Sequence, residues 1–486
     1  MEIGIIGAGA STVGLLDALA RFAREPGALT ILEPSPYLWR GRAFAPDLES
    51  VLVNTPPMIM SASHGDPGHY GRWLADQGGS YLDRRLGQPI VPRGVYGSYL
   101  EQTAESALAG LRRLGWRTDV VRERVAGVLP ADRPTLVTHT GRRHLVDVAV
   151  LAVGCGVPQD HYGLGGSPGF VRDPYPLATT LADVAPERDV AVVGSGLTAV
   201  DIVASLAARG HTGRISLLSR AGVLPAVWQR PARVTMAHLT TDRLAALARE
   251  HGALTLDHLW SLLDVELGPD LAELAEEVRA TNSEDPIGRL RRHLSLIDSP
   301  GMGRRLLQQA VHVVGPHAWR LLRQSDRDVL RGRYFRAIAS LSSPMVPGNA
   351  ATMLELLETG QLAVIPGLRK IEPGDGGFRV FTDGSVRSAD VVINAVNPPP
   401  HSIPDGAQAV IASMLTAGTA ELHPDGGLNI EPTTGRLMVS GHVDPRWYAV
   451  GDLAGGGSFI TTSIPGLAAR AEATAQAIVS PLMRPA

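Results

Sequence analysis

Cysteine is all but missing. Cys155 stands alone in 486 residues, which excludes an intrachain disulfide, a redox-active dithiol pair and a cysteine-based zinc cluster. Lysine is equally scarce: Lys370 is the single lysine among 45 Lys plus Arg. One lysine in an expected surface hairpin is a poor basis for Schiff-base chemistry. No apolar run approaches the roughly 18 residues of a membrane span; the longest, around 148–157, contains glycine and reads as a buried strand. Neither sign of charge dominates, because 48 Asp plus Glu nearly balance the bases and leave a net charge of −3. Such a chain lacks the basic footprint of a nucleic-acid binder. No secretory pattern precedes the strand-like segment at residues 2–6, and with one thiol the expectation is a cytoplasmic protein without a membrane segment.

What the chain does have is length, apolar content and glycine. At about 150 residues per domain it has room for two to four domains, and 44% hydrophobic with 19% charged residues is a soluble globular composition. The first strong feature lies at the start. A buried strand at residues 3–6 runs into Gly7-Ala8-Gly9-Ala10-Ser11-Thr12-Val13-Gly14, a helix follows to about Phe22, and a second strand at 28–32 ends at Glu33. Strand, glycine turn, helix, strand and acid form a dinucleotide-binding unit. Gly7 permits the tight turn, Gly9 lets the backbone approach a pyrophosphate, and the free N–H groups of the helix start face the phosphates. Thr12 replaces the third glycine; it either loosens the helix–strand packing or offers its hydroxyl to a phosphate.

The unit then recurs. A strand at 189–193 leads into Gly194-Ser195-Gly196-Leu197-Thr198-Ala199, a helix runs to about Ala208, and a strand at 214–218 ends at Ser219-Arg220. Glu33 follows Gly7 by 26 residues (33 − 7), and Arg220 follows Gly194 by 26 (220 − 194). One structural slot thus carries an acid in the first unit and a base in the second. A carboxylate suits free ribose hydroxyls and repels a 2′-phosphate, whereas a guanidinium grips that phosphate bidentately. The first unit is therefore expected to hold FAD or NAD and the second NADP, with a solvated surface arginine as the alternative reading of Arg220.

Two such units point to a two-dinucleotide flavoprotein, with FAD in the first and NADPH in the second. Further segments carry a resemblance. They are Gly41-Arg42-Ala43-Phe44, Leu52-Val53-Asn54-Thr55-Pro56, Met58, Met60-Ser61, Asp66-Pro67, Trp73-Leu74, Val91-Pro92-Arg93 and Tyr96-Gly97-Ser98-Tyr99-Leu100. With the two glycine motifs, these resemble the bacterial FAD-NAD(P)-binding family and, more distantly, the class B flavin monooxygenases, which include flavin-containing and N-hydroxylating enzymes. The likeness covers roughly residues 1–225 and 385–486. It implies that 146–158 and 389–400 are the crossings between the two domains. It also implies that Asp452, after Gly451, lies on the ribityl-phosphate side of FAD, and that the helix opening at Ile464 faces the flavin's pyrimidine end. Asn54 falls beside the reactive edge of the flavin by the same resemblance, or else caps a turn before Pro56. Arg93 falls in a turn near the flavin, and Arg40 and Arg42 either touch FAD phosphates or are solvated. An arginine-rich stretch found in the family before the return strand is missing here, where the chain reads Ala339-Ser340-Leu341-Ser342-Ser343-Pro344.

The expected fold is α/β, two Rossmann-like domains with a mainly α-helical insertion. Residues 1–158 and 399–486 form the FAD-binding domain, 159–230 and 346–398 the NADPH-binding domain, and 231–345 the insertion, a substrate or lid region. Residues 361–390 read as a β-meander. Arg289, Arg291 and Arg292 read as a solvated helix face or an anion-binding one. The expected cofactor contacts are Gly7, Gly9, Ser11, Thr12, Glu33, Arg40, Gly41, Arg42, Arg93, Gly194, Gly196, Leu197, Thr198, Ser219, Arg220, Gly451, Asp452 and Ile464, with Asn54 the expected catalytic residue and no metal. The function implied is that of an FAD- and NADPH-dependent monooxygenase. It would use a flavin C4a-hydroperoxide to oxygenate a small substrate, by N-hydroxylation of an amine or amino acid, with dioxygen as co-substrate. Two rivals stand: an NADPH-dependent reductase or dehydrogenase without oxygen insertion, and a non-catalytic flavin-binding protein. The sequence leaves the oligomeric state open.

Overall fold

The computed structural model describes the chain except residues 130, 282, 457, 458, 460–462 and 481–486. In chain order, the elements that place the site begin with β1 (Glu2–Ile6), α1 (Ala10–Phe22) and β2 (Ala28–Leu32). Next come α2 (Arg93–Arg113), β3 (Arg117–Val121), β4 (Val148–Leu151), β5 (Phe170–Val171), β6 (Val190–Val193), α3 (Leu197–Ala208) and β7 (Ile215–Leu218). After the insertion follow β8 (Leu362–Ile365), β9 (Val391–Asn394), β10 (Arg436–Val439), β11 (His442–Ala449) and α4 (Ile464–Val479). One sheet has the strand order β10-β11-β4-β1-β2-β3 and the other β5-β9-β6-β7-β8. Every pairing is parallel except β10 with β11. Parallel strands covered on both faces must be apolar throughout, and β6 and β4 are buried at every position.

Helix α1 lies between α2 and α4 on one face of the first sheet. Gly14 permits that approach, since a methyl group there would stand 3.3 Å from the Ala471 Cβ of α4. Leu15, Leu16 and Leu19 enter a core that also holds Tyr70, Tyr96 and Tyr99. Aromatic residues are only 5% of the chain, yet several gather here: Tyr70 lies 4.7 Å from Tyr99 and 4.9 Å from Tyr96, ring centre to ring centre. Their hydroxyls fix the segment after Asn54. Tyr96 donates to the Met60 carbonyl at 2.8 Å, and Tyr99 accepts from the Ala62 N–H at 3.0 Å.

The insertion is helical, as its apolar periodicity predicts, from Thr241–His251 to Phe335–Ser342. It has its own core around Leu244, Leu271, Leu274, Leu306, Trp319 and Leu341. It rests on the C-terminal segments: Arg327 and Arg331 both reach Asp425, at 3.0 and 2.9 Å, and the Trp319 ring stands 5.2 Å from Phe459. Two expectations are corrected. Residues 362–365 are not part of a meander but the parallel edge strand β8, paired with β7. The antiparallel unit is Leu368–Gly374, Gly377–Thr382 and Val386–Ala389. Arg289 and Arg292 are not a solvated face either. Arg289 is buried, bonded to the Leu224 carbonyl and Ser340, and Arg292 pairs with Glu277 at 2.5 Å and with Glu284.

Glu277 also bonds the buried His293 ring at 2.8 Å. Burial pulls His293 down to about 4, against the opposing pull of Glu277. The folded state thus holds the ring neutral while the unfolded chain takes up a proton below about pH 6.5. Its stabilising effect is complete above that pH and fades as pH falls toward 4, by up to about 3 kcal/mol. In urea unfolding across this window, His293→Gln should flatten the acid-side loss of stability by about one proton's worth; an unchanged slope would show that His293 does not titrate there.

Candidate cofactor site

The two glycine turns are near copies. Gly7 has φ +104° and Gly194 φ +120°, a region open to glycine and strained for other residues. The Gly7 N–H bonds the Leu32 carbonyl at 2.9 Å and the Gly194 N–H the Leu218 carbonyl at 2.7 Å. A side chain on Gly7 would sit 2.3 Å from the Ala152 carbonyl oxygen, and one on Gly194 3.2 Å from that of Ala395. Each turn therefore packs directly on the segment leaving the neighbouring strand, β4 in one sheet and β9 in the other. Both helices then open from a glycine, Gly9 or Gly196, with no side chain capping the free N–H groups. Leu197 and Thr198 supply the first turn of α3, as Ala10 and Ser11 do in α1. An added Cβ at Gly196 would meet nothing within 4 Å. Uncapped helix starts with an open glycine in front fit the phosphates of a dinucleotide.

Around the first turn, Glu33 accepts from the Ala8 N–H at 2.9 Å and the Ser35 N–H at 2.8 Å. Its carboxylate is thus held at the end of β2 with lone pairs to spare. Gly9 and Gly41 face each other, an added Cβ on Gly9 falling 3.7 Å from the Gly41 Cα. Ser11 lies against Gly451, where a Cβ would come within 2.6 Å of its Oγ. Two expected contacts are engaged elsewhere. The Thr12 hydroxyl is fully buried and donates to the Gly7 carbonyl at 2.8 Å, so it braces the turn from inside and does not face a phosphate. Arg40 turns to α2, where it meets both oxygens of Glu101 at 2.6 and 2.7 Å and the Gly94 carbonyl at 2.9 Å. Trp39 is core.

At the C-terminal side, Gly451 has φ +81°. Asp452 accepts from the His401 N–H at 3.1 Å, and its carbonyl lies 2.7 Å from His401 Nδ1. Burial raises the Asp452 carboxyl, against the pull of His401. Ile464 is the first residue of α4, whose Ser463 cap takes the Gly466 N–H at 3.3 Å. Of the glycines at 455–457, the last lies outside the described residues.

Around the second turn, Ser195 donates to the Val223 carbonyl at 2.8 Å and meets Ser219 at 3.2 Å; Ser219 in turn takes the Gly222 N–H at 2.8 Å. The Thr198 hydroxyl lies 3.4 Å from the Asn397 side-chain oxygen on the second crossing. Arg220 follows β7, is exposed, and forms no ion pair among the described residues. It is a guanidinium available to a ligand.

Between the two sheets runs a polar seam that sequence reasoning foresaw only in part. Arg42 pairs with Asp173, and Asp47 takes the N–H groups of Leu177 and Ala178 at 2.9 and 2.7 Å. A short ladder sets Arg93 beside Asn54: the Val53 N–H bonds Val91, and the Arg93 N–H bonds Val51, at 2.9 and 2.8 Å. Arg93 is the first residue of α2 rather than part of a turn. It crosses to Asp201 of α3, a fully buried carboxylate that also takes the Tyr175 hydroxyl at 2.5 Å. Burial disfavours the Arg93 charge, yet Asp201 outweighs it and holds the guanidinium above its ordinary value. Asn54 has its own carbonyl bonded by the Trp228 indole N–H at 2.8 Å, and its amide nitrogen lies 3.5 Å from the Leu52 carbonyl. It does not cap a turn. Asp201 was missed although its signal is plain: it is the one charged residue in the apolar helix LTAVDIVASLAA.

Residues 4–156 match the FAD-NAD(P)-binding family. No curated protein matches the chain. Among solved structures, the ornithine N-hydroxylase of Kutzneria sp. 744, in a complex with reduced FAD, NADP+ and L-ornithine, aligns over 98% of both chains with a TM-score of 0.56 at 13% identity. L-lysine 6-monooxygenase from Pseudomonas syringae aligns over 98% of both chains with a TM-score of 0.57 at 16% identity. Bacillithiol disulfide reductase from Bacillus cereus aligns over 98% of both with a TM-score of 0.50 at 12% identity. The chain thus shares the fold of these two-dinucleotide proteins.

Removing one partner of a buried ion pair strands the other charge, at a cost of about 3–5 kcal/mol. Arg93→Met should lower unfolding free energy by that order. Arg93→Met with Asp201→Leu should recover more than half, as judged by chemical denaturation; a double variant no more stable than the single one would show that the pair is not a self-contained unit.

Proposed function

We propose that the protein is an FAD- and NADPH-dependent monooxygenase that N-hydroxylates a small amine or amino acid in the cytoplasm. The observation that carries this reading is the matched pair of glycine turns with opposite charges at the ends of the next strands, Glu33 directly after β2 and Arg220 one residue further on after β7. Residues 1–158 with 399–486 are read as the FAD domain, 159–230 with 346–398 as the NADPH domain, and 231–345 as the substrate side. The ornithine and lysine hydroxylases that share the fold at full length favour an amine or amino acid as substrate.

In this reading the N–H groups at the start of α1 hold the FAD pyrophosphate and Glu33 takes its adenosine ribose. The start of α3 holds the NADPH pyrophosphate, and Arg220 takes the 2′-phosphate. Bound FAD, reduced by NADPH, supplies the activation of dioxygen and the transfer of one oxygen atom. Asn54 offers the flavin side a neutral amide that donates and accepts without titrating. The seam pairs Arg42–Asp173 and Arg93–Asp201 keep the two domains closed against water. The rival without oxygen transfer finds a fold likeness in the disulfide reductase, but the single Cys155 offers no dithiol to relay electrons.

Arg220→Ala should weaken NADPH binding by about 1–3 kcal/mol, the worth of a charged hydrogen-bond pair, and leave NADH nearly untouched; equal losses in fluorescence titrations would remove Arg220 as the phosphate reader. For the reaction, NADPH-reduced enzyme is mixed rapidly with oxygen. A spectral species distinct from both reduced and oxidised flavin supports the monooxygenase, and direct return of oxidised flavin supports the reductase.

A further inference from the structure

We propose that Asp201 is a positioning residue for Asn54, its free carboxylate oxygen taking the Asn54 amide N–H and so fixing which way round that amide faces. The inference rests on the reading that places Asn54 at the flavin side of the seam. Asp201 uses its two oxygens unequally. Oδ2 takes both donors, Arg93 Nη2 and the Tyr175 hydroxyl at 2.5 Å. Oδ1 is buried and takes none. An orphaned buried acceptor costs on the order of 1–3 kcal/mol, and the Asn54 amide, which bears on the Asp201 carboxyl, is held elsewhere only by its 3.5 Å contact to Leu52. The Asn54 side-chain oxygen is buried and unbonded as well. Asn54 already lowers the Asp201 carboxyl through that amide, as Arg93 does by its charge, while burial raises it.

The chemistry follows from charge. Arg93 favours the ionised Asp201, and an ionised carboxylate only accepts. It therefore draws the nitrogen end of the Asn54 amide and turns the oxygen end away from the carboxylate. A neutral amide at 201 both donates and accepts, and would let Asn54 turn over. Asp201 also stands on α3 three residues beyond Thr198, so the helix offered to the nucleotide phosphates is the one that orients the flavin-side amide.

The test uses the FAD-loaded full chain. Asn54→Ala, Asp201→Asn, their double variant and Asp201→Glu are compared by visible-range flavin circular dichroism at rest and by the share of NADPH electrons released as hydrogen peroxide. Asp201→Asn is expected to fold, since an amide oxygen still accepts from Arg93 and Tyr175. It should raise the peroxide share by about 2- to 10-fold, the worth of one hydrogen bond, and reproduce the dichroism change of Asn54→Ala. The double variant should leak no more than Asn54→Ala alone, because residues acting through one contact do not add. Asp201→Glu, which keeps an acceptor-only group, should fall closer to the parent. A packing role predicts the reverse order, since asparagine has aspartate's shape and glutamate does not, and that order overturns the proposal. Additive effects of Asn54→Ala and Asp201→Asn overturn it too. If Asn54→Ala itself changes neither readout, the placement of Asn54 at the flavin has failed, which is a different result from a silent Asp201→Asn beside a responsive Asn54→Ala.

Discussion

A backbone carbonyl pressed against a glycine organises this molecule twice. At Gly7 a carbonyl oxygen from the next strand's exit, that of Ala152, occupies the place of a side chain, and at Gly194 the exit of β9 makes a looser contact, 3.2 Å against 2.3 Å. Because the turn has no Cβ, the strand can end, reverse and start a helix within three residues while a neighbouring strand passes directly over it. The helix begins with its N–H groups bare and its dipole facing the gap between strand ends, which is where open parallel sheets bind their ligands. The position of Glu33 follows, one strand further on and in register with Gly7, and in the second unit Ser219 takes that register with Arg220 one residue beyond it.

The two sheets are joined by polar contacts along one seam, and those contacts carry more order than apolar packing alone would give. Arg42–Asp173, Asp47 with its two N–H donors, and Arg93–Asp201–Tyr175 all run from the segment 42–93 into the second domain. A buried pair such as Arg93–Asp201 gains little net stability, because desolvation offsets attraction, but it strongly penalises the wrong partner. The seam therefore fixes how one glycine-turn unit faces the other. Asn54 sits within it, beside charged groups that hold each other.

Much of the fold could be read from the residues in order. The paired strand–turn–helix units are local features, and a glycine turn between an apolar strand and an apolar helix has few other solutions. The helical insertion was legible for the same reason, since apolar spacing and Gly–Pro breaks act over a few residues. The strand at 362–365 was misassigned because an apolar run of four fits a hairpin or a parallel edge equally well, and only its pairing with β7 decides.

The amino-acid order by itself thus determined two dinucleotide units of opposite charge and the segments that link them, because those depend on backbone freedom and short-range periodicity. Only the tertiary structure decided which charged side chains meet. Thr12 turned inward, Arg40 went to Glu101, and Arg93 crossed to Asp201, 108 positions away. A long side chain's partner depends on which elements pack together and on what else is buried nearby, and neither is written in the residues beside it.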